Sequence, residues 1–148
     1  MKLSTTDARV TRELAWLCFR SGSDFAALAL PEEGRRGMKW ALIAGGRGSR
    51  LELMRIMPGV GLGGMALRHG AVCRANAADN AEWLAACPVM LAEKLLSGVA
   101  FPVFDGSGAP AGVMLFGRRH GLPYAEADAG WIAPLIPRFI EMVGDGAL

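Results

Sequence analysis

Histidine and cysteine are scarce in this chain of 148 residues, which has two histidines and three cysteines. A structural metal site needs several such ligands at characteristic spacings, and His69 and His120 do not provide them. Cys18, Cys73 and Cys87 are odd in number and include no C-x-x-C spacing. This pattern favours reduced thiols in a cytosolic protein over a disulfide framework or a zinc site.

Charge of one sign and long apolar runs are also lacking. The 16 basic and 14 acidic residues leave a formal net charge of +2, which is too small to indicate a nucleic-acid partner. No uninterrupted apolar run reaches about 18 residues, so we expect no membrane span. Residues 1–7 contain no apolar signal core, and we therefore expect a cytoplasmic protein.

The chain is rich in apolar residues, which make up 52% of it, and it has 20 glycines. Its length suits one domain, residues 1–148, with one sizeable core. Five glycines fall within residues 58–70, PGVGLGGMALRHG. Residues 58–61 favour a turn, residues 65–68 favour a helix, and Gly70 stands where a helix C-cap is expected. A helix that begins at glycines leaves its first N–H groups uncovered, which suits a small anion, although a plain tight corner explains the glycines equally well.

Hydrophobic periodicity and turn residues divide the rest of the chain into helices and strands. We predict a first helix that Thr5 or Thr6 caps and that Ser21-Gly22 ends, a helical turn over residues 81–86, and a helix that begins at Pro88 and continues to Leu95. A last helix covers residues 124–143, with an apolar stripe at Trp131, Leu135, Phe139 and Val143, and Pro134 and Pro137 kink or split it. The predicted strands are residues 25–30, 38–44, 51–56, 71–74, 99–104 and 111–118. The fold class is α+β, a twisted antiparallel sheet with helices on its faces.

Catalytic patterns are weak. No G-x-S-x-G nucleophile elbow is present, and the serines fall in turns, where small polar residues are expected in any case. His69 lies at a predicted helix end, where its cation favours the helix dipole. A catalytic triad can assemble from distant residues, so the sequence order alone leaves that alternative open. We predict no catalytic residue.

Several segments together resemble a GAF domain, a small-molecule sensor fold, and within it the nitrate-receptor (NreA-type) GAF proteins. The resemblance rests on Trp40 in an early strand, on RIMPGVGLGG at residues 55–64 and on Cys87-Pro88-Val89. It continues with LSGVAFPV at residues 96–103 and GVMLFG at residues 112–117. The resemblance covers roughly residues 40–119. It implies a GAF-like fold with the N- and C-terminal helices packed together.

The resemblance also implies a ligand site. The positions that match ligand-contacting residues are Trp40, Leu62, Gly63, Pro88 and Val89. Leu62, Gly63 and Val89 would offer backbone N–H groups to nitrate or nitrite, Pro88 would shape the wall, and Trp40 would contact the anion with its ring. We expect no cofactor.

Two positions depart from the family's pattern. Gly63 stands where a small side chain such as alanine is usual, and Cys87 stands where the family's pattern allows a larger aromatic residue. Both departures are expected to enlarge the pocket. A related anion or a larger ligand therefore stays open, as does the plain interpretation that these residues are ordinary core.

Partners and a competing function follow from the same resemblance. It implies a sensor histidine kinase as signalling partner. Trp16 and Trp131 are large apolar residues on end helices that a small domain is not expected to cover fully, which would suit a homodimer. The alternative is a GAF-type free methionine-(R)-sulfoxide reductase, which uses a cysteine inside the glycine-rich segment. Leu62 and Gly63 occupy that place here, so the expected nucleophile is missing.

Overall fold

One antiparallel sheet organises the molecule. The computed structural model describes residues 8–34 and 36–145, and within them six strands pair antiparallel in the order β3-β2-β1-β6-β5-β4. The strands are β1 Phe25–Pro31, β2 Met38–Ala44, β3 Arg55–Ile56, β4 Cys73–Asn76, β5 Ser97–Phe104 and β6 Pro110–Arg118. The helices are α1 Ala8–Arg20, α2 Gly61–His69, α3 Ala81–Ala85, α4 Pro88–Ala92, α5 Glu126–Ile132 and α6 Ile136–Asp145. The predicted α+β class is confirmed.

The sheet is covered on both faces, and the central strands explain why. In β1, Phe25, Ala27 and Ala29 pack into the core under α2, α3 and α4. Ala26 and Leu28 point to the opposite core, under α1, α5 and α6. A strand buried on both faces is a continuous apolar run rather than an alternating one. Such a run, FAALAL, is what the sequence has here.

The first and last helices pack together, as predicted. Val10, Leu14 and Leu17 of α1 share a core with Phe139 and Val143 of α6. The predicted cap at Thr5 or Thr6 lies outside the described residues. No helix in the described ranges is long and apolar enough to cross a membrane.

The last helix divides as its prolines predict, but its buried stripe differs from the prediction. A 3₁₀ turn, Ala133–Leu135, separates α5 from α6. Ile132 and Ile136 are buried, whereas Trp131 is 41% exposed. The buried positions are Ala129, Ile132, Ile136, Phe139 and Val143, spaced three and four residues apart, so the stripe keeps Phe139 and Val143 but passes through Ile132 and Ile136 instead of Trp131 and Leu135.

The prediction of a strand over residues 51–56 is wrong in its first half. Residues Leu51–Leu53 form a 3₁₀ turn, and only Arg55–Ile56 pair with β2. The Leu53 and Met54 N–H groups donate to the Arg50 and Leu51 carbonyls, at 3.1 and 2.9 Å, instead of to a neighbouring strand. Of the two leucines in this turn, Leu51 is the buried one. The alternation that predicted a strand is therefore explained by one buried side chain in a 3₁₀ turn.

The helix predicted from Pro88 is confirmed at its start and is shorter than expected. It ends at Ala92 because Lys94 has a left-handed backbone, with φ 55°. The Leu95 N–H then donates to the Met90 carbonyl at 2.9 Å, which caps the last turn.

The glycine-rich corner before α2 is tightly packed backbone. Gly59 and Gly61 have φ of 82° and 70°, which other residues rarely adopt. The Gly59 N–H donates to the Gly64 carbonyl at 2.7 Å. A Cβ on Gly64 would lie 2.2 Å from the Met57 carbonyl oxygen. Gly70 ends α2 in the left-handed conformation, as predicted.

We expect Gly64→Ala to lower the free energy of unfolding by about 1–3 kcal/mol, because its Cβ meets backbone that cannot move aside. Gly63→Ala is the matched control, since a Cβ there lies 3.2 Å from the Ile56 Cδ1, the mobile end of a side chain. Gly63→Ala should stay within about 1 kcal/mol of the wild type. Urea denaturation of the two variants measures the difference, and equal losses would contradict this view of the corner.

Candidate functional site

A small cavity lies between the starts of α2 and α4 and the strands β2 and β3. Its volume is about 80 Å³. Four of the five residues predicted for the ligand site line it: Trp40, Gly63, Pro88 and Val89. The side chain of the fifth, Leu62, packs elsewhere, with Cδ2 against Gly98 of β5. Leu62 can therefore reach a ligand only through its backbone.

The sulfur of Cys87 lies where the two helices begin. Four backbone N–H groups lie beside this sulfur and lower the pKa of the thiol. Two belong to Leu62 and Gly63 of α2, and two belong to Val89 and Met90 of α4. Burial has the larger effect and raises the pKa of Cys87 above its usual value. The thiol is 5% exposed. At neutral pH it is therefore protonated and uncharged.

Neither helix start is well capped. Among the described residues, no side chain makes a capping hydrogen bond to α2 or to α4. The Met90 N–H already donates to the Cys87 carbonyl at 3.0 Å. Leu62, Gly63 and Val89 belong to first helical turns, where N–H groups have no partner inside the helix. The Cys87 thiol, which is a weak acceptor, lies beside the three predicted donors.

At Gly63 a neighbouring side chain lies in the space where an enlarged pocket was expected. Ile56 lies 3.2 Å from the point where a Cβ on Gly63 would be, so it fills the space that the missing side chain leaves. Cys87 adds its sulfur to the same region. A water molecule takes about 30 Å³ of liquid volume. The cavity therefore has room for a ligand of only a few heavy atoms and is too small for a nucleotide, a haem or a tetrapyrrole.

Arg55 also lines the cavity, and the sequence analysis did not assign it to the site. Its guanidinium is occupied by other partners: Nη2 donates to Glu32 Oε1 at 2.9 Å, and Nη1 donates to the carbonyls of Glu52 and Met54 at 3.2 Å. Glu32 also pairs with Lys39 at 3.6 Å. Positive potential inside the cavity therefore comes mainly from the backbone N–H groups rather than from a free cation.

The remaining thiols and histidines are placed away from these donors. Cys18 packs into the core on the opposite face of the sheet, and burial raises the pKa of its thiol to about 11. Cys73 begins the edge strand β4, where burial again raises its pKa. His69 stands in the last turn of α2, as predicted, and His120 is exposed. No metal-binding cluster occurs within residues 8–34 and 36–145.

Comparison with known proteins gives structural neighbours only. No protein-family model matches the chain, and no curated protein matches it either. NreA of Staphylococcus aureus, studied with mutations in its nitrate binding site, is 30% identical, with a TM-score of 0.68. The match covers 80% of this chain and 88% of NreA.

More distant neighbours share the fold. A type II free methionine-R-sulfoxide reductase from Thermoplasma acidophilum is 18% identical, with a TM-score of 0.63, over 89% of this chain and 92% of the reductase. The GAF domain of a two-component sensor histidine kinase from Bacillus halodurans is 13% identical, with a TM-score of 0.66, over 96% of each chain. At these identities the likeness concerns the fold alone.

Proposed function

Because this chain belongs to the GAF family and resembles NreA within it, we propose that it is a small-ligand sensor that binds nitrate or a related small anion. One observation carries the proposal. The first turns of two separate helices, which contain Leu62, Gly63 and Val89, lie beside one small cavity. Helix starts carry partial positive charge, so their meeting point favours an anion.

The Cys87 thiol defines what the anion must compete with. A thiol is a weak acceptor, whereas hydrogen bonds to an anion are roughly twice as strong as neutral ones. The wall of the cavity includes Trp40, Ile56 and the ring of Pro88, which exclude water and strengthen these bonds. Nitrate and nitrite suit such a site because they are small, carry one charge and accept several hydrogen bonds.

The proposed sensor works as one domain, residues 1–148, in the cytoplasm and without catalysis or a cofactor. Its signal passes to a partner protein, which the resemblance to NreA implies is a sensor histidine kinase. The two faces of the sheet can serve ligand binding and signalling separately. The cavity lies on the face that α2 and α4 cover, whereas α1 and α6 lie on the other face.

A second candidate function is favoured by Cys87. A free methionine-(R)-sulfoxide reductase needs a thiol in its GAF pocket, and the structure brings one there from α4 rather than from the glycine-rich segment. The raised pKa of this thiol weighs against it, because the thiolate is the nucleophile.

We expect nitrate to bind the cavity and to stabilise the fold. A ligand at a hundredfold excess over its Kd adds about 2.7 kcal/mol to the free energy of unfolding. Millimolar sodium nitrate should therefore raise the melting temperature well beyond equal sodium chloride, and calorimetry should give the Kd. The absence of both heat and stabilisation, with nitrite as well as nitrate, would end the anion hypothesis and leave the fold untouched.

Two variants at one position locate that binding. Val89→Pro deletes an N–H donor and should weaken nitrate binding about tenfold or more, which corresponds to about 1–3 kcal/mol. Val89→Ala keeps the N–H and is the matched control for the change in side chain. Equal affinities in the two variants would place the anion elsewhere.

The reductase alternative predicts turnover, and we expect none. The assay supplies free methionine sulfoxide and a thiol reductant, and product is measured for the wild type, Cys87→Ser and Cys73→Ser. Sustained turnover that Cys87→Ser abolishes would replace the sensor proposal with the enzyme.

We expect a homodimer through the end helices. Trp16 of α1 is 48% exposed and Trp131 of α5 is 41% exposed, and a groove of about 670 Å³ lies between α1 and α6. Large apolar side chains of this kind mark interaction surfaces. Sedimentation at micromolar concentration should give about twice the chain mass of 15.7 kDa.

Two variants test where the dimer forms. Trp16→Glu should give monomer, whereas Leu122→Glu, which changes an exposed apolar residue outside these helices, should leave the dimer intact. A monomeric wild type would contradict the expectation.

A further inference from the structure

A buried ion pair holds the far end of α4. Glu93 directly follows that helix, and its side chain is 1% exposed; Arg119 directly follows β6, and its side chain is 8% exposed. Arg119 Nη2 donates to Glu93 Oε1 at 2.5 Å, and Nε donates to the Glu93 carbonyl at 2.9 Å. The Arg47 N–H donates to Oε1 at 2.9 Å, and the Ser49 hydroxyl donates to Oε2. The carboxylate is thus bound from two segments, the loop that carries Arg47 and Ser49 and the residue after β6.

One helical turn joins this ion pair to the cavity. Val89 lines the cavity, and its carbonyl accepts the Glu93 N–H at 3.0 Å. At 1.5 Å per residue, the two positions are about 6 Å apart along the helix axis. A helix this short has no room to bend, so a shift of the Val89 peptide moves Glu93 as well.

From Glu93 the contacts continue to the junction between α1 and β1. The Arg119 backbone N–H donates to Asp24 Oδ2 at 2.8 Å, and Nη1 donates to the Asp24 carbonyl at 3.3 Å. The adjacent Arg118 donates to the carbonyls of Gly22 and Ser21, at 2.9 and 3.3 Å, where α1 ends. The two arginines therefore bind both the start of β1 and the end of α1.

We propose that the Glu93–Arg119 pair couples the anion cavity to the end of α1. This inference rests on the proposed function and names how an occupied site reaches the end helices. A buried charge that loses its partner is strongly destabilising, so the two residues move together rather than apart. An anion that draws the N–H of Val89 away from the thiol thereby shifts Glu93, Arg119 and the segment around Asp24.

Glu93→Gln and Ser49→Ala separate coupling from plain stability. Glu93→Gln removes the ion pair, whereas Ser49→Ala removes a hydrogen bond to the same carboxylate and leaves the contact with Arg119 intact. Should Glu93→Gln fail to fold, Arg119→Lys serves instead, because a single ammonium cannot reach Glu93, Asp24 and Gly45 together as the guanidinium does.

Two measurements follow the two ends of the route. Hydrogen exchange reports residues 21–24, whose amides donate to Leu17, Phe19, Cys18 and Gly117. Alkylation of Cys87, mapped by mass spectrometry, reports the cavity without any ligand. In the wild type and in Ser49→Ala, sodium nitrate should slow exchange at residues 21–24 by about fivefold or more relative to sodium chloride. In Glu93→Gln that slowing should be lost, and Cys87 should react faster even without nitrate.

The outcomes distinguish this inference from the proposed function. Nitrate that binds the wild type by calorimetry but leaves residues 21–24 unchanged, or protects them equally in Glu93→Gln, would overturn the coupling. If nitrate does not bind at all, the proposed function fails, and the ligand-free measurements decide the coupling. The coupling is supported if Cys87 is alkylated faster and residues 21–24 exchange faster in Glu93→Gln but not in Ser49→Ala. Unchanged rates in Glu93→Gln would refute the coupling.

Discussion

Two helix starts that meet in the protein interior without good capping partners are the constraint on which the candidate site depends. The first N–H groups of any helix need acceptors from outside the helix. At α2 and α4 the Cys87 sulfur lies beside these N–H groups, and sulfur accepts hydrogen bonds weakly. Buried donors that are poorly satisfied carry a free-energy cost. A small anion beside Cys87 would remove that cost, which is why the same geometry that weakens the fold favours a ligand.

The rest of the fold brings these helix starts together. Gly64 lets α2 lie directly against the Met57 carbonyl, and Gly59 accepts the positive φ that the corner requires. Pro88 is the first residue of α4. Proline suits this position because it has no N–H, and an N–H there would have no partner inside the helix. At the other end, Glu93 holds α4 against the sheet through Arg119. Each contact positions backbone rather than side chains, and backbone groups are the proposed donors.

Much of the fold could be predicted because the hydrophobic patterns of its strands and helices are strong. The apolar runs of β1 and β6 and the stripe from Val10 to Leu17 indicate their elements without tertiary information. The strand over residues 51–56 was wrong because Leu51 and Leu53 alternate whether or not a partner strand is in reach. At the site, the resemblance identified the cavity wall, but no pattern could show that Ile56 fills the space beside Gly63. The direction of a side chain depends on neighbours that are distant in the chain.

Cys87 shows most clearly that the sequence does not reveal where a side chain lies or how it is protonated. By size it is smaller than an aromatic residue, so the sequence indicated a larger pocket; in the structure its sulfur occupies the point where the donors meet. The protonation state then decides what the site can do. Burial keeps the pKa above its usual value, so at neutral pH the thiol is uncharged and does not repel an anion. A thiolate at the same place would accept the N–H groups itself and exclude nitrate by charge. The burial that makes Cys87 a poor nucleophile is therefore the condition under which an anion can share its donors.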